Sequence, residues 1–207
     1  MDEISAAIDQ FKATYGLRDE DVLLIPYGSR VYGTHSDKSD YDFLAIIPQN
    51  RNADTGTEYS WNNLNVHMLN RWDFGEQLGF HKIHCLEAYF HPDGLVQQHY
   101  KWKRDLVKLR HELSEKASNS WVKAKKKMEK EKDFYLGWKS LFHSLRILNF
   151  GIQLATDSKI KDFSAANHYW TEIRDAQQYN WEYFKEKYQA EYNRLATEFR
   201  KLAPKEE

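Results

Sequence analysis

Residues 22–47 constrain this chain more than any other stretch. An apolar run, Val22-Leu23-Leu24-Ile25, leads into Tyr27-Gly28-Ser29-Arg30-Val31-Tyr32-Gly33-Thr34-His35-Ser36-Asp37-Lys38-Ser39-Asp40-Tyr41-Asp42, and a second apolar run, Phe43-Leu44-Ala45-Ile46-Ile47, leads out. Both runs are short, partly β-branched and bounded by Pro26 and Pro48, which suits buried strands. Side chains alternate along a strand, so Asp40 and Asp42 are expected on one face with Tyr41 on the other. Two carboxylates side by side repel, a cost that a divalent cation between them offsets. The Gly28-Ser29 turn can offer backbone N–H groups and a hydroxyl to a phosphate. Metal carboxylates facing a phosphate cradle are what metal-assisted phosphoryl or nucleotidyl transfer requires.

Gly-Ser, a spacer of ten residues and then Asp-x-Asp on a strand resembles the signature of the DNA polymerase β-like nucleotidyltransferase superfamily. The longer string, Gly28-Ser29-Arg30-x-Tyr32-Gly33-Thr34 followed by Ser39-Asp40-Tyr41-Asp42, is similar to its branch of predicted nucleotidyltransferases associated with RNA-repair genes. The resemblance implies an α+β chain: a polymerase β-like fold (a mixed sheet with flanking helices) at residues 1–94, then an all-helical lobe at 95–207. It implies Mg²⁺ or Mn²⁺ held by Asp40 and Asp42. Gly28, Ser29, Arg30, Tyr32, Gly33, Thr34 and Ser39 would contact the nucleotide. The implied reaction is attack by an acceptor hydroxyl, of RNA by the branch association, on a nucleoside triphosphate with release of pyrophosphate.

The branch pattern also places a third carboxylate, and here the chain departs from it. An Asp, nine residues on a Phe and thirteen further a Glu correspond to Asn65, Phe74 and Glu87. Asparagine is neutral, a poorer metal ligand and no general base. His67, on the same strand face, could replace the base, a role in which imidazoles commonly serve, and Glu58 on the neighbouring strand could supply a carboxylate. Otherwise Asn65 is a weak ligand in a slower enzyme, or marks lost transferase chemistry. Glu87 is expected as a buried group, capping or paired with an arginine, rather than a catalytic one.

Elsewhere the residues set elements. Ile4, Ile8, Phe11 and Tyr15 predict a helix over 2–15 ending at Gly16, and a short helix is expected from Ser29. Residues 49–57 read as a polar loop. Asn62-Asn63 between Glu58-Tyr59-Ser60-Trp61 and Leu64–Leu69 predicts a hairpin whose second strand lies near the Asp pair. A helix is expected over 71–81, and the segment 84–90 is undecided. His91-Pro92-Asp93-Gly94 breaks the chain. Beyond it, helices are expected over 95–132, 133–156 (amphipathic), about 163–177 and 180–202.

On the helix over 133–156, Lys139, His143 and Arg146 share a face, resembling the branch's Lys-x-x-x-His-x-x-Arg motif. That resemblance implies phosphate contacts from the helical lobe; the alternative is a solvated charge face. Lys123, Lys126 and Lys130 form either a ridge for an RNA acceptor or a solvated face.

The chain of 207 residues has 30 Lys and Arg against 31 Asp and Glu, a net charge of -1, which argues against a globally basic nucleic-acid binder but leaves room for a local patch. A single cysteine, Cys85, permits no internal disulfide and suits a reducing, cytoplasmic setting, and no apolar run is long enough to span a membrane. No HExxH motif or Cys/His cluster suggests a zinc site. Two rival readings remain: a non-catalytic nucleotide- or RNA-binding module of the same fold, and an interaction partner protein using exposed Trp and Tyr.

Overall fold

The computed structural model describes residues 3–49 and 56–205. The chain is α+β, with a small four-stranded mixed sheet and a mostly helical remainder. It divides into two compact units, Met1–Trp102 and Lys103–Glu207. The first unit runs past the expected boundary at residue 94 because Tyr100 and Trp102 pack their rings on Phe74, His81 and Phe90.

In the first unit α1 (Glu3–Tyr15) precedes β1 (Leu23–Tyr27), a one-turn helix α2 (Ser29–Tyr32) and β2 (Tyr41–Ile47). The hairpin β3 (Glu58–Trp61) and β4 (Leu64–Asn70) follows, then α3 (Arg71–Gly79), α4 (Ile83–Tyr89) and α5 (Leu95–His99). Asn62 takes a left-handed φ of 52° in the hairpin turn, which a short amide side chain tolerates. The undecided segment at 84–90 is helical. The expected loop at 49–57 lies largely outside the described residues.

The strand order is β1-β2-β4-β3. β1 is antiparallel to β2, β2 parallel to β4, and β3 antiparallel to β4. Residues directly opposite one another share a face of the sheet, so the register sorts the side chains. Ala45, Ile47, Leu64, Val66 and Met68 form one face and bury against Ala7, Phe11 and Leu17. Each large apolar side chain buried there contributes about 1.5–3 kcal/mol before entropy is charged. The other face carries Ile25, Leu44, Ile46 and Leu69, all buried, with α3, α4 and α5 lying against its strands. Asp42, Asn65 and His67 belong to this second face.

The second unit comprises α6 (Leu106–Lys126), a π-helical segment (Lys127–Glu131), α7 (Phe134–Asp157), α8 (Asn167–Asp175) and α9 (Trp181–Leu202). Side-chain oxygens of Asp105, Asp133 and Asn180 accept from Lys108, Leu136 and Glu182 N–H groups and so cap α6, α7 and α9. α8 is shorter than the expected 163–177. Asp162 Oδ1 accepts from both the N–H and hydroxyl of Ser164, and Gln153 Oε1 takes the Lys161 and Asp162 N–H groups. These bonds hold the segment out of a helix. α7 matches the expected helix over 133–156, with a buried side broader than one narrow stripe: Trp138, Leu141, Phe142, Ser144, Leu145, Arg146 and Ile147 are all buried. α6, α8 and α9 all pack on it, which requires buried side chains on more than one side. At the crossing with α9, a Cβ on Gly151 would lie 2.9 Å from the Phe199 ring, so only glycine admits this approach. No helix among the described residues is long and apolar enough to cross a membrane.

Candidate functional site

The site gathers at the end of the sheet where β1 stops and β2 and β4 begin. The chain leaves Tyr27 and turns at Gly28, with φ 79° and ψ -156°. Essentially only glycine occupies that region. The turn also brings the backbone against Asp42: a Cβ on Gly28 would sit 2.6 Å from Asp42 Oδ2 and 3.3 Å from its Cβ and Cγ. α2 then starts with Val31 and Tyr32 donating to the Gly28 carbonyl, so the Ser29 and Arg30 N–H groups fall in the unbonded first turn.

Register carries this arrangement across the sheet. Tyr27 lies opposite Asp42, Asp42 opposite Asn65, and Asn65 opposite Ser60. Asn65 Nδ2 donates to Asp42 Oδ1 at 3.3 Å, and the Ser60 hydroxyl donates to Asn65 Oδ1 at 2.9 Å. The Tyr27 phenol is raised to about 12, first by burial and then by the charges of Asp42, Glu58 and Glu87. Asn65 is thus next to Asp42, where the sequence pattern puts it. Tyr27 and Ser60 are site residues that the sequence reading missed. Ser60 was accessible by counting outward from the two-residue Asn62-Asn63 turn, which pairs 61 with 64 and 60 with 65.

Asp40 is exposed and lies just before β2 begins at Tyr41. Strand alternation therefore does not fix it; Arg30 does. The Arg30 guanidinium donates to the carbonyls of Asp40 and Ser39 at 3.2 and 2.7 Å, and stacks 3.7 Å above the Tyr41 ring. Arg30, expected at the nucleotide, is through these bonds also a clasp on the 39–41 backbone. Ser39 has a similar local task, its hydroxyl accepting from the Ser36 N–H at 2.9 Å. Thr34 closes α2 by donating its N–H to the Ser29 carbonyl, and Gly33 adopts φ 80° at the helix end.

Tyr32, another expected nucleotide contact, points inward. It is buried, and its hydroxyl donates to Glu87 Oε2 at 2.5 Å. Glu87 is itself buried, as expected. His67 lies on the Asn65 face but one row further along, opposite Leu44 and Glu58, about 6–7 Å along the strand from the Asp42 row. Its ring stands edge-on to His84 at 5.9 Å. Ser60, not Glu58, occupies the position opposite Asn65. Cys85 is fully buried, as expected of a core residue.

In the second unit the row of α7 is graded in exposure. Lys139 is exposed and lies 4.8 Å over the Tyr135 ring. His143 is half-buried, and its Nδ1 is 2.7 Å from an Arg146 guanidinium nitrogen. Burial, helped by Arg146, Lys116 and Lys123, holds the His143 pKa well below its ordinary value, so Nδ1 accepts from Arg146. Arg146 is only 2% exposed and is flanked by the Phe142 and Phe150 rings. The row is therefore not a solvated charge face, and of its three members only Lys139 is open. The π-helical segment Lys127–Glu131 begins between Lys126 and Lys130, so the α-helical spacing that lines up Lys123, Lys126 and Lys130 does not run through it. Lys126 also pairs with Glu131 at 3.2 Å.

Mg²⁺ is ordinarily bound through one or two carboxylates, with water and substrate phosphates completing its octahedron. Asp40 and Asp42 are carboxylates of that kind, one just before β2 and one within it. Among the described residues, no group of three or more His, Cys, Asp and Glu is arranged to hold a metal. No family model and no curated protein matches the chain.

Proposed function

We propose that the first unit is a nucleotide site of the polymerase β-like type and that the chain is a nucleotidyltransferase. It would move a nucleoside monophosphate from a nucleoside triphosphate to an acceptor hydroxyl, with RNA as the acceptor class, and release pyrophosphate. The approach of Gly28 to Asp42 carries this reading. A glycine-only turn pressed against a carboxylate supports the reading, because N–H groups of the kind that bind phosphate would then lie beside a group able to ligate a metal, an arrangement with little use to a purely structural strand end.

Asp40 and Asp42 would hold the Mg²⁺ ion, which when bound neutralises phosphate charge and favours attack at phosphorus. The N–H groups of Ser29 and Arg30 and the Ser29 hydroxyl orient the phosphate oxygens. Arg30 sets the backbone that carries Asp40, and Asn65 sets the rotamer of Asp42. Labelled nucleoside triphosphates with Mg²⁺ or Mn²⁺ and a panel of RNA acceptors test the proposal. Label transfer with matching pyrophosphate release is expected, and both are lost in Asp42→Asn. Failure of transfer and of pyrophosphate release across the panel refutes the transferase reading.

One observation favours a second reading, a nucleotide- or RNA-binding module without transfer. Asn65, in the position of the third acid, faces Asp42 with an amide N–H and offers no base. Retained nucleotide binding without pyrophosphate release selects that reading.

A further inference from the structure

Three observations converge on Asn65. It lies in register between Asp42 and Ser60. Its Nδ2 donates to Asp42 Oδ1, and its Oδ1 accepts from the Ser60 hydroxyl. Among the described residues no group of three or more acidic, His or Cys side chains is placed to hold a metal.

The chemistry fixes which way the amide points. A carboxylate only accepts hydrogen bonds, so the amide nitrogen must face Asp42. The amide oxygen then faces away, and the Ser60 hydroxyl satisfies it from the far side. The oxygen is the only metal-ligating atom that asparagine has, and it is directed away from Asp42 and already engaged. A second cation beside Asp42 would need further oxygen ligands, and on this side Asn65 presents an N–H donor instead.

We infer that Asn65 is a positioning residue that holds Asp42 by hydrogen bond in place of a second cation, and that the site takes a single divalent ion with its nucleotide. The inference rests on the nucleotide reading above. It sets the site apart from a two-ion arrangement, in which two metals clamp the attacking and leaving oxygens. It also makes position 65 the determinant of ion number, because a carboxylate there would present two acceptors to Asp42 and require a cation between them.

Native mass spectrometry of the full chain with Mn²⁺ and a non-hydrolysable nucleoside triphosphate analogue counts ions per chain, and thermal unfolding is followed with and without Mn²⁺. One Mn²⁺ is expected for wild type and for Asn65→Ala, and two for Asn65→Asp. Asn65→Asp is expected to melt lower than wild type without Mn²⁺ and to regain most of the loss with it. Two ions in the wild type, or one ion in Asn65→Asp with no Mn²⁺-dependent recovery, overturns the inference. If Asn65→Asp does not fold, the counts for wild type and Asn65→Ala decide alone. A wild-type chain that takes up neither nucleotide nor Mn²⁺ overturns the nucleotide reading itself, and the inference with it.

Discussion

Replacing Gly28 by alanine tests the central contact of the site directly. Two costs add. A non-glycine residue at φ 79° and ψ -156° lies in a region worth about 1–3 kcal/mol of strain. The new Cβ, 2.6 Å from Asp42 Oδ2, must push aside a carboxylate that Asn65 is holding, an overpacking cost of about 1–3 kcal/mol. The sum is about 2–6 kcal/mol, felt mostly at the start of β2. A whole-chain unfolding transition reports a loss without saying where it falls, and hydrogen exchange of the Tyr41–Ile47 peptide localises it. Each 1.4 kcal/mol speeds exchange about tenfold, so a rise of roughly 30-fold or more is expected. A double-mutant cycle separates the two costs. Asp42→Ala leaves only its Cβ, 3.3 Å from the added methyl, and should relieve the steric part while leaving the backbone part. A coupling of about 1–2 kcal/mol is expected. Nucleotide affinity should fall in Gly28→Ala as well. Exchange within threefold of wild type, with zero coupling to Asp42→Ala, would refute the reasoning.

Other expectations follow from single contacts. Tyr32→Phe removes the donor to the buried Glu87 carboxylate and should cost about 1–3 kcal/mol in urea unfolding of the first unit; unchanged stability would show that the carboxylate is served by other groups. Gly151→Ala drives a methyl to within 3 Å of the fully buried Phe199 ring and should cost about 1–3 kcal/mol in the second unit, while a neutral result would mean that the ring shifts freely. Glu191 is lowered to about 2, chiefly by the hydrogen bonds from Arg194, against the opposing effect of burial, and with help from Tyr169. Its folded pKa is depressed, so its contribution is complete above about pH 4.5 and is lost as pH falls towards 2. Arg194 is more than half exposed, so solvent screening limits the pair to about 1 kcal/mol. The stability difference between wild type and Arg194→Ala should therefore shrink between pH 6 and pH 3, and a pH-independent difference argues against the linkage. The Tyr27 phenol, raised to about 12, should be missing from the phenolate absorbance gained between pH 9.5 and 11, so that Tyr27→Phe leaves that part of the titration unaltered.

What was legible in the sequence had local causes. The strands flanking Gly28-Ser29, the Asn62-Asn63 hairpin and the helices of the second unit follow from short apolar runs, turn residues and capping side chains. The alignment of Asn65 with Asp42 was legible too, because a resemblance fixed its spacing and the pairing of β2 with β4 delivered it. The roles of Arg30, Ser39 and Tyr32 were not. Each is a polar residue in a motif, and the chain cannot say whether such a group turns to a ligand or to its own backbone. Arg30 is drawn to the Ser39 and Asp40 carbonyls because Tyr41 gives its guanidinium a face to stack on. Tyr32 turns inward because Glu87, 55 positions away, meets its hydroxyl in the core. On α7 the buried side is wider than its apolar spacing indicates: the polar residues at 140, 144 and 146 are buried as well, with the Ser144 hydroxyl donating to the Leu141 carbonyl and an Arg146 nitrogen bonded to His143.

The row Tyr27-Asp42-Asn65-Ser60 also explains how a carboxylate can sit at the end of this sheet before any cation arrives. Of these four neighbouring side chains only Asp42 is a carboxylate, and burial together with nearby acidic groups keeps the Tyr27 phenol protonated well above its ordinary range. Asn65 gives Asp42 a donor, and Ser60 satisfies the oxygen that this orientation leaves behind. A partly buried carboxylate beside an aspartate at position 65 would lack that donor and face a second charge, so folding would be tied to metal occupancy. With asparagine there, folding and ion binding are separable. The expected signature is a wild-type melting temperature that is insensitive to a chelator, in contrast to an Asn65→Asp chain whose melting temperature follows the free Mn²⁺ concentration.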